Sequence, residues 1–220
     1  MSEERRHTMI QRANCYTLLA DLYHCRPNEP ALERFKAGIA SLQTSDEALN
    51  RAAGELARAL GVAPVAQLLK PLSDDYAKVF LGAGFFTTDA AYPIESVYTT
   101  PGRLVMQEAW EAVCTTYADA GFECRPGEEL HEDHLAVELD FLAAVAERAA
   151  RALERDDENG WRDELVLSAV FLRAHPLVWI DDFVADVERC AKSDFIKALA
   201  HFTAELLKAD LRYLTRELDK

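Results

Sequence analysis

At 220 residues, half of them hydrophobic, the chain can bury one large core or two small ones, so it needs neither disulfides nor a structural metal, and disorder is excluded. Its 38 acidic residues outnumber 24 basic ones and leave a net charge of −14. Such a surface repels phosphate backbones and anionic headgroups, which argues against nucleic acid and stable membrane insertion; it suits solubility and would attract a basic peptide.

The five cysteines, Cys15, Cys25, Cys114, Cys124 and Cys190, are odd in number and contain no Cys-x-x-Cys. They read as reduced thiols of a cytoplasmic protein, most of them small core hydrophobes. Met1–His7 is charged, and the stretch behind it carries Gln11, Arg12, Asn14 and Asp21, so neither a signal peptide nor a membrane span is expected. Arg5-Arg6 looks like a twin-arginine pair, but no apolar run follows it.

Apolar residues recur at three- and four-residue spacing between sparse glycines and prolines. Met9, Ala13, Tyr16, Leu19, Leu22 and Tyr23 mark a first helix, and Leu32, Phe35, Ile39 and Leu42 a second, starting near Pro30. Ser45 reads as the N-cap of a third, which ends at Gly61. A fourth stretch begins at Pro64, is broken or restarted by Pro71, and runs through Tyr76, Val79 and Phe80 to Gly82. Gly82–Thr100 has no helical period and reads as a long ordered loop rich in aromatics. Pro101 suits the first turn of a fifth helix with Met106, Ala109, Trp110, Val113 and Tyr117 on its apolar face, stopped by Gly121. After an irregular stretch, a long helix is expected from Asp133 to Arg155, with Asp133 as cap or first-turn anion. Glu154–Gly160 reads as a polar turn. A helix from Trp161 is cut at His175-Pro176, a short one carries Trp179, Phe183 and Val187, and Ser193 caps the last. The expected fold is all-α, a single globular domain over residues 1–220 of about nine helices.

Polar chemistry concentrates in Glu128-Glu129-Leu130-His131-Glu132-Asp133-His134, followed by Glu138. His134 and Glu138 share a helix face, and Glu128 with His131 forms a Glu-x-x-His, as does Glu4 with His7. A metal-dependent helical enzyme using His131, His134 and Glu138 is therefore one alternative. Against it, one pair lies in a loop and the other in a terminus, and no His-Glu-x-x-His is present. No nucleophile elbow, phosphate-cradling loop or dinucleotide fingerprint occurs either. A second alternative is structural, with Asp133 capping the long helix and His134 donating across the loop. The loop aromatics Phe85, Phe86, Tyr92 and Tyr98, beside Phe80, Pro93 and Glu95, either plug the core or floor a binding groove.

At these segments the chain resembles the TorD/DmsD/NarJ family of redox-enzyme maturation chaperones. Asp75-Tyr76-Ala77-Lys78-Val79-Phe80-Leu81-Gly82 is similar to the family's aromatic segment. Tyr92-Pro93-Ile94-Glu95-Ser96-Val97-Tyr98 is similar to its Pro-Tyr-Glu-Ser-Val-Tyr pattern, with Ile94 replacing the usual aromatic. Glu129–His134 resembles its Glu-x-Pro-x-Asp-His motif, with His131 at the proline, and His134–Leu142 and His175-Pro176…Trp179…Phe183 continue the likeness. The resemblance implies a non-catalytic cytoplasmic chaperone with no cofactor of its own. Its implied partner is a molybdoenzyme precursor with a twin-arginine signal peptide, held back from export until molybdopterin is inserted. It also implies a monomer or a helix-exchanged dimer, for which Asp156–Gly160 is a possible hinge. An arginine pair ahead of an apolar run needs carboxylates beside an apolar groove. The implied peptide-binding residues are Glu95, Asp133 and Glu138 on the acidic side, Tyr76, Phe80 and Tyr98 on the apolar side, Pro93 and Ser96, and His134, which would orient Asp133 or contact the peptide. Some members bind guanine nucleotide weakly, but this chain has no phosphate loop.

Overall fold

The computed structural model describes residues 2–83, 90–124 and 130–220, without the side chains of Ser2 and Ser41. Phe85, Phe86, Glu128 and Glu129 lie outside the described residues. Among the described residues ten helices run in the order α1 (Ser2–His24), α2 (Glu29–Ser41), α3 (Glu47–Gly61), α4 (Val65–Leu81), α5 (Glu95–Thr99), α6 (Glu108–Asp119), α7 (Leu135–Glu154), α8 (Glu158–Ala174), α9 (Pro176–Cys190) and α10 (Asp194–Leu218). Among the described residues the only β-type pairing is an isolated antiparallel bridge between Ile94 and His134. No described helix is long and apolar enough to cross a membrane.

Side-chain caps set half of the helix starts. Asn28 Oδ1 accepts from Ala31 N at 3.0 Å and caps α2, whose first turn holds Pro30. Asp46, not the expected Ser45, caps α3 by accepting from Leu49 N at 3.1 Å. Asp157 caps α8 through Gly160 N, and Ser193 caps α10 through Phe195 N and Ile196 N. Pro71 does not break α4. It is exposed and costs only the bond to the Gln67 carbonyl, while Leu72, Tyr76, Val79 and Phe80 beyond it are buried and hold the helix in line.

Three boundaries depart from the sequence expectation: α8 starts at Glu158, inside the expected polar turn Glu154–Gly160, because Asp157 caps it, and the other two lie around α5 and α6. The segment 82–100 is not all loop, because α5 forms inside it. Five residues carry too little period to reveal a helix. The next helix starts at Glu108 rather than Pro101, because Gly102, Arg103 and Met106 take positive φ values of 85°, 57° and 56° and turn the chain first. Met106 is consequently exposed instead of lying on the apolar face.

The helices share one apolar core, centred on α7 and α10. α7 packs along α1 and α8, and α10 packs against α3, α8 and α9. Ala136, Ala143, Ala146, Ala149, Ala150 and Ala152 leave α7 slim, while Leu135, Leu139, Phe141, Leu142, Val145 and Leu153 fill the space around it. Each large side chain so buried contributes about 1.5–3 kcal/mol. Polar ties cross the core where helices meet: Arg12 and Tyr16 of α1 bind Asp210 of α10, and His24 Nε2 meets Asp140 Oδ2 of α7 at 2.7 Å. Of the five cysteines, none of them in a disulfide, only Cys190 is fully buried, so most are not core residues as expected; Cys25 and Cys124 are exposed.

Candidate functional site

The Pro93–Tyr98 segment and the start of α7 close on each other. Leu135 N donates to Pro93 O at 2.8 Å and Glu95 N donates to Asp133 O at 2.9 Å, flanking the Ile94–His134 bridge. Asp133 Oδ2 then accepts from Ser96 N at 2.9 Å and from Ser96 Oγ at 2.5 Å, across 37 residues of sequence. Asp133 therefore caps the first turn of α5 and not α7 as expected. The bridge sets its carboxylate over the orphan amides of the short helix, where an anion is favoured.

His134 takes the role expected of Asp133. It is the N-cap of α7, and its Nδ1 accepts from Ala136 N at 3.1 Å rather than donating across the loop. Burial, followed by the nearby His24 and His131, lowers its pKa from 6.5 to about 3. The ring is neutral at pH 7, as an accepting Nδ1 requires.

Behind this seam lies a buried acid cluster. Glu95 Oε2 meets His175 Nδ1 at 3.0 Å and ties α5 to the start of α9. Glu138 is fully buried against Glu95, Asp133 and the Trp179 indole, yet neither of its oxygens nor the indole N–H closes a hydrogen bond of normal geometry. Burial first, and Glu95 and Asp133 next, push the Glu138 carboxyl well above its ordinary 4.5. Asp133 Oδ1 also lacks a partner among the described residues. Buried acceptors thus outnumber donors here, an arrangement that costs stability where it stands and would welcome a cation or a donor.

The aromatics form one column. Tyr98 stacks on Trp179 with centroids 5.4 Å apart and meets the edge of Phe183 at 6.1 Å. Phe183 stacks on Phe80 at 5.9 Å, and Phe80 meets Tyr76 edge-on at 5.0 Å. Tyr76 Oη donates to Tyr23 O at 2.9 Å. The Arg103 guanidinium lies 4.9 Å above the Tyr98 ring and pairs with Asp186 of α9. The other wall comes from α6, whose Trp110 Nε1 donates to Glu132 Oε2 at 2.5 Å and whose Tyr117 Oη donates to Glu132 O at 3.2 Å.

Of the residues singled out from sequence, Pro93, Glu95, Ser96, Asp133, His134 and Glu138 gather at the seam, and Tyr98 joins them through Trp179 and α5. Tyr76 and Phe80 are core members of the aromatic column. All nine are buried except Tyr98, which is half-buried, so none stands on an open acidic groove in this conformation. The pairing of Glu95 with His175 and of Trp110 with Glu132 was missed; neither partner follows from spacing along the chain. His131, His134 and Glu138 do not gather as a metal site, and no group of three His, Cys, Asp or Glu side chains placed to hold a metal ion occurs among the described residues. The Glu128 partner of His131 lies outside them.

The fold is all-helical, with a buried polar seam that joins two segments lying between its longer helices. The family model described as the nitrate reductase delta subunit matches residues 42–185, and the chain belongs to that family. The matched stretch runs from the approach to α3 through most of α9 and contains the whole seam. The chain is 28% identical over 199 residues to the chaperone protein TorD of Vibrio cholerae, across 88% of this chain and 86% of that protein. It is 26% identical over 146 residues to the chaperone protein TorD of Vibrio parahaemolyticus, across 66% of this chain and 65% of that one.

Proposed function

We propose that the chain is a cytoplasmic, non-catalytic maturation chaperone that binds the twin-arginine signal peptide and apoprotein of a molybdopterin-dependent oxidoreductase. It supports cofactor insertion, delays export, and acts as a monomer or a helix-exchanged dimer hinged at Asp156–Gly160. The observation that carries the reading is the seam itself, in which Asp133 and Ser96 lock the Pro93–Tyr98 segment to the start of α7 beside unsatisfied buried carboxyls. Membership of the delta-subunit family and the likeness to two TorD chaperones support it.

The peptide site comprises Tyr76, Phe80, Pro93, Glu95, Ser96, Tyr98, Asp133, His134 and Glu138. Because these residues are closed off, binding requires α5 to lift from the start of α7. An arginine side chain then supplies the donors that Asp133 Oδ1 and Glu138 lack, while Tyr98 and the column beneath it receive the apolar run. Disrupting the closed seam costs free energy that the guanidinium contacts must offset. Calorimetry with a synthetic twin-arginine signal peptide tests this. Asp133→Ala and His134→Ala, each verified as folded by circular dichroism, are expected to lose binding at least tenfold; unchanged affinity in both removes the site assignment. Retention of an exported oxidoreductase precursor in a pull-down from the native host tests the client class.

A further inference from the structure

A cleft of about 860 Å³ lies between α1, α2, α3 and α10 and shares no residue with the seam. Its walls come mainly from α1, α2 and α10, outside residues 42–185. Leu18, Phe35, Ile39, Phe202 and Leu206 make it apolar. Gly38 of α2 sits on its wall in close contact with Leu18, where a Cβ would approach Leu18 Cδ1 to 3.0 Å.

The charge of this cleft differs from that of the rest of the molecule. Against a net charge of −14, its lining balances three arginines with three aspartates. Arg12 and Asp210 pair on its floor, with Nε to Oδ1 at 2.6 Å and Nη2 to Oδ2 at 2.8 Å, and Tyr16 Oη donates to Asp210 at 2.6 Å. Arg34 pairs with Asp21, and Asp46 with Arg212, leaving Arg216 at the solvent edge. The half-buried Cys15 thiol is pushed up to about 11, first by burial and then by Asp210, so it adds no charge at pH 7.

One donor on the floor is left weakly used. Arg12 is buried to nine-tenths, and among the described residues its Nη1 donates to the Met9 sulfur alone, at 3.3 Å. A thioether is a poor acceptor, so an oxygen entering the cleft finds a charged donor ready. The volume falls in the range of small-molecule sites, roughly 300–1,000 Å³, which are mostly apolar with a few placed polar groups.

We propose that this cleft binds an uncharged, apolar small molecule that turns one carbonyl-type oxygen toward Arg12 Nη1. A charged ligand would enter a lining with no net counter-charge. The assignment is independent of signal-peptide binding at the seam.

Nile red, a neutral apolar dye with a ring carbonyl, is the probe. Fluorescence titration of the full chain is expected to give saturable one-to-one binding. Gly38→Leu places a side chain on the cleft wall beside Leu18 and is expected to weaken binding at least tenfold with helix content retained. Should Gly38→Leu not fold, Leu42→Gln at the half-buried end of the cleft is expected to weaken the dye several-fold. Unsaturable binding, or unchanged affinity in the folded variant, overturns the proposal. Displacement of the dye by the signal peptide or by precursor polypeptide also overturns it and makes the cleft a protein contact. Signal-peptide calorimetry on the same variant separates the two ideas, because loss of dye with peptide binding intact concerns the cleft alone.

Discussion

Replacing Glu138 with glutamine probes the acid cluster behind the seam while keeping the shape of the neutral side chain. Buried beside Glu95 and Asp133 without a closed hydrogen bond, Glu138 holds its proton more tightly in the folded chain than in the unfolded one. Above its ordinary value of 4.5 the unfolded chain releases that proton and the folded chain keeps it. The unfolded state then binds fewer protons, so stability falls as pH rises, by about 1.4 kcal/mol per pH unit while the folded acid stays protonated. Glutamine cannot titrate, and Glu138→Gln should gain on the wild type by that slope. Urea unfolding near pH 5.5, 6.5 and 7.5 at fixed ionic strength should show the difference growing with pH. Against a total stability of about 5–15 kcal/mol such a change is readily measured. A flat difference, or a variant that loses ground as pH rises, refutes the reasoning and means that the fold accommodates ionised Glu138.

His134 works in the opposite direction. Its folded value of about 3 lies below the ordinary 6.5, so the stability it contributes is complete above 6.5 and is lost as pH falls toward 3. His134→Asn keeps a capping acceptor but cannot titrate, and should flatten the acid limb of the stability curve by about 1.4 kcal/mol per unit in that window; an unchanged limb contradicts it. Asp75 is a structural control away from the seam, where its carboxylate accepts from Lys192 N at 3.0 Å and Ser193 N at 2.7 Å and fastens the α9–α10 connection to α4. Asp75→Ala should cost about 2–4 kcal/mol in denaturant unfolding and speed hydrogen exchange at Lys192 and Ser193, with signal-peptide affinity retained. Wild-type exchange at those amides would show that the carboxylate is not their protection.

Long amphipathic segments were readable because burial on one side of a helix imposes its period over many turns. That covers α1, α2, α3, α7, α8 and α10, with the cuts at Gly61 and His175-Pro176. α5 was not readable, because five residues cannot establish a period and its first turn is capped by Asp133 from another segment. Pro71 misled for a related reason, since its local penalty is outweighed by the packing of residues one to three turns further on.

The sequence by itself determined an acidic, all-helical chain and drew attention to Pro93–Tyr98 and Asp133–Glu138, because composition, period and residue type are local properties. Only the tertiary structure decided what those residues do. It exchanged the expected roles of Asp133 and His134, buried Glu95, Asp133 and Glu138 rather than exposing them on a groove, and matched Glu95 with His175 80 residues away. Hydrogen-bond geometry and desolvation depend on which surfaces meet, and spacing along the chain carries no record of that.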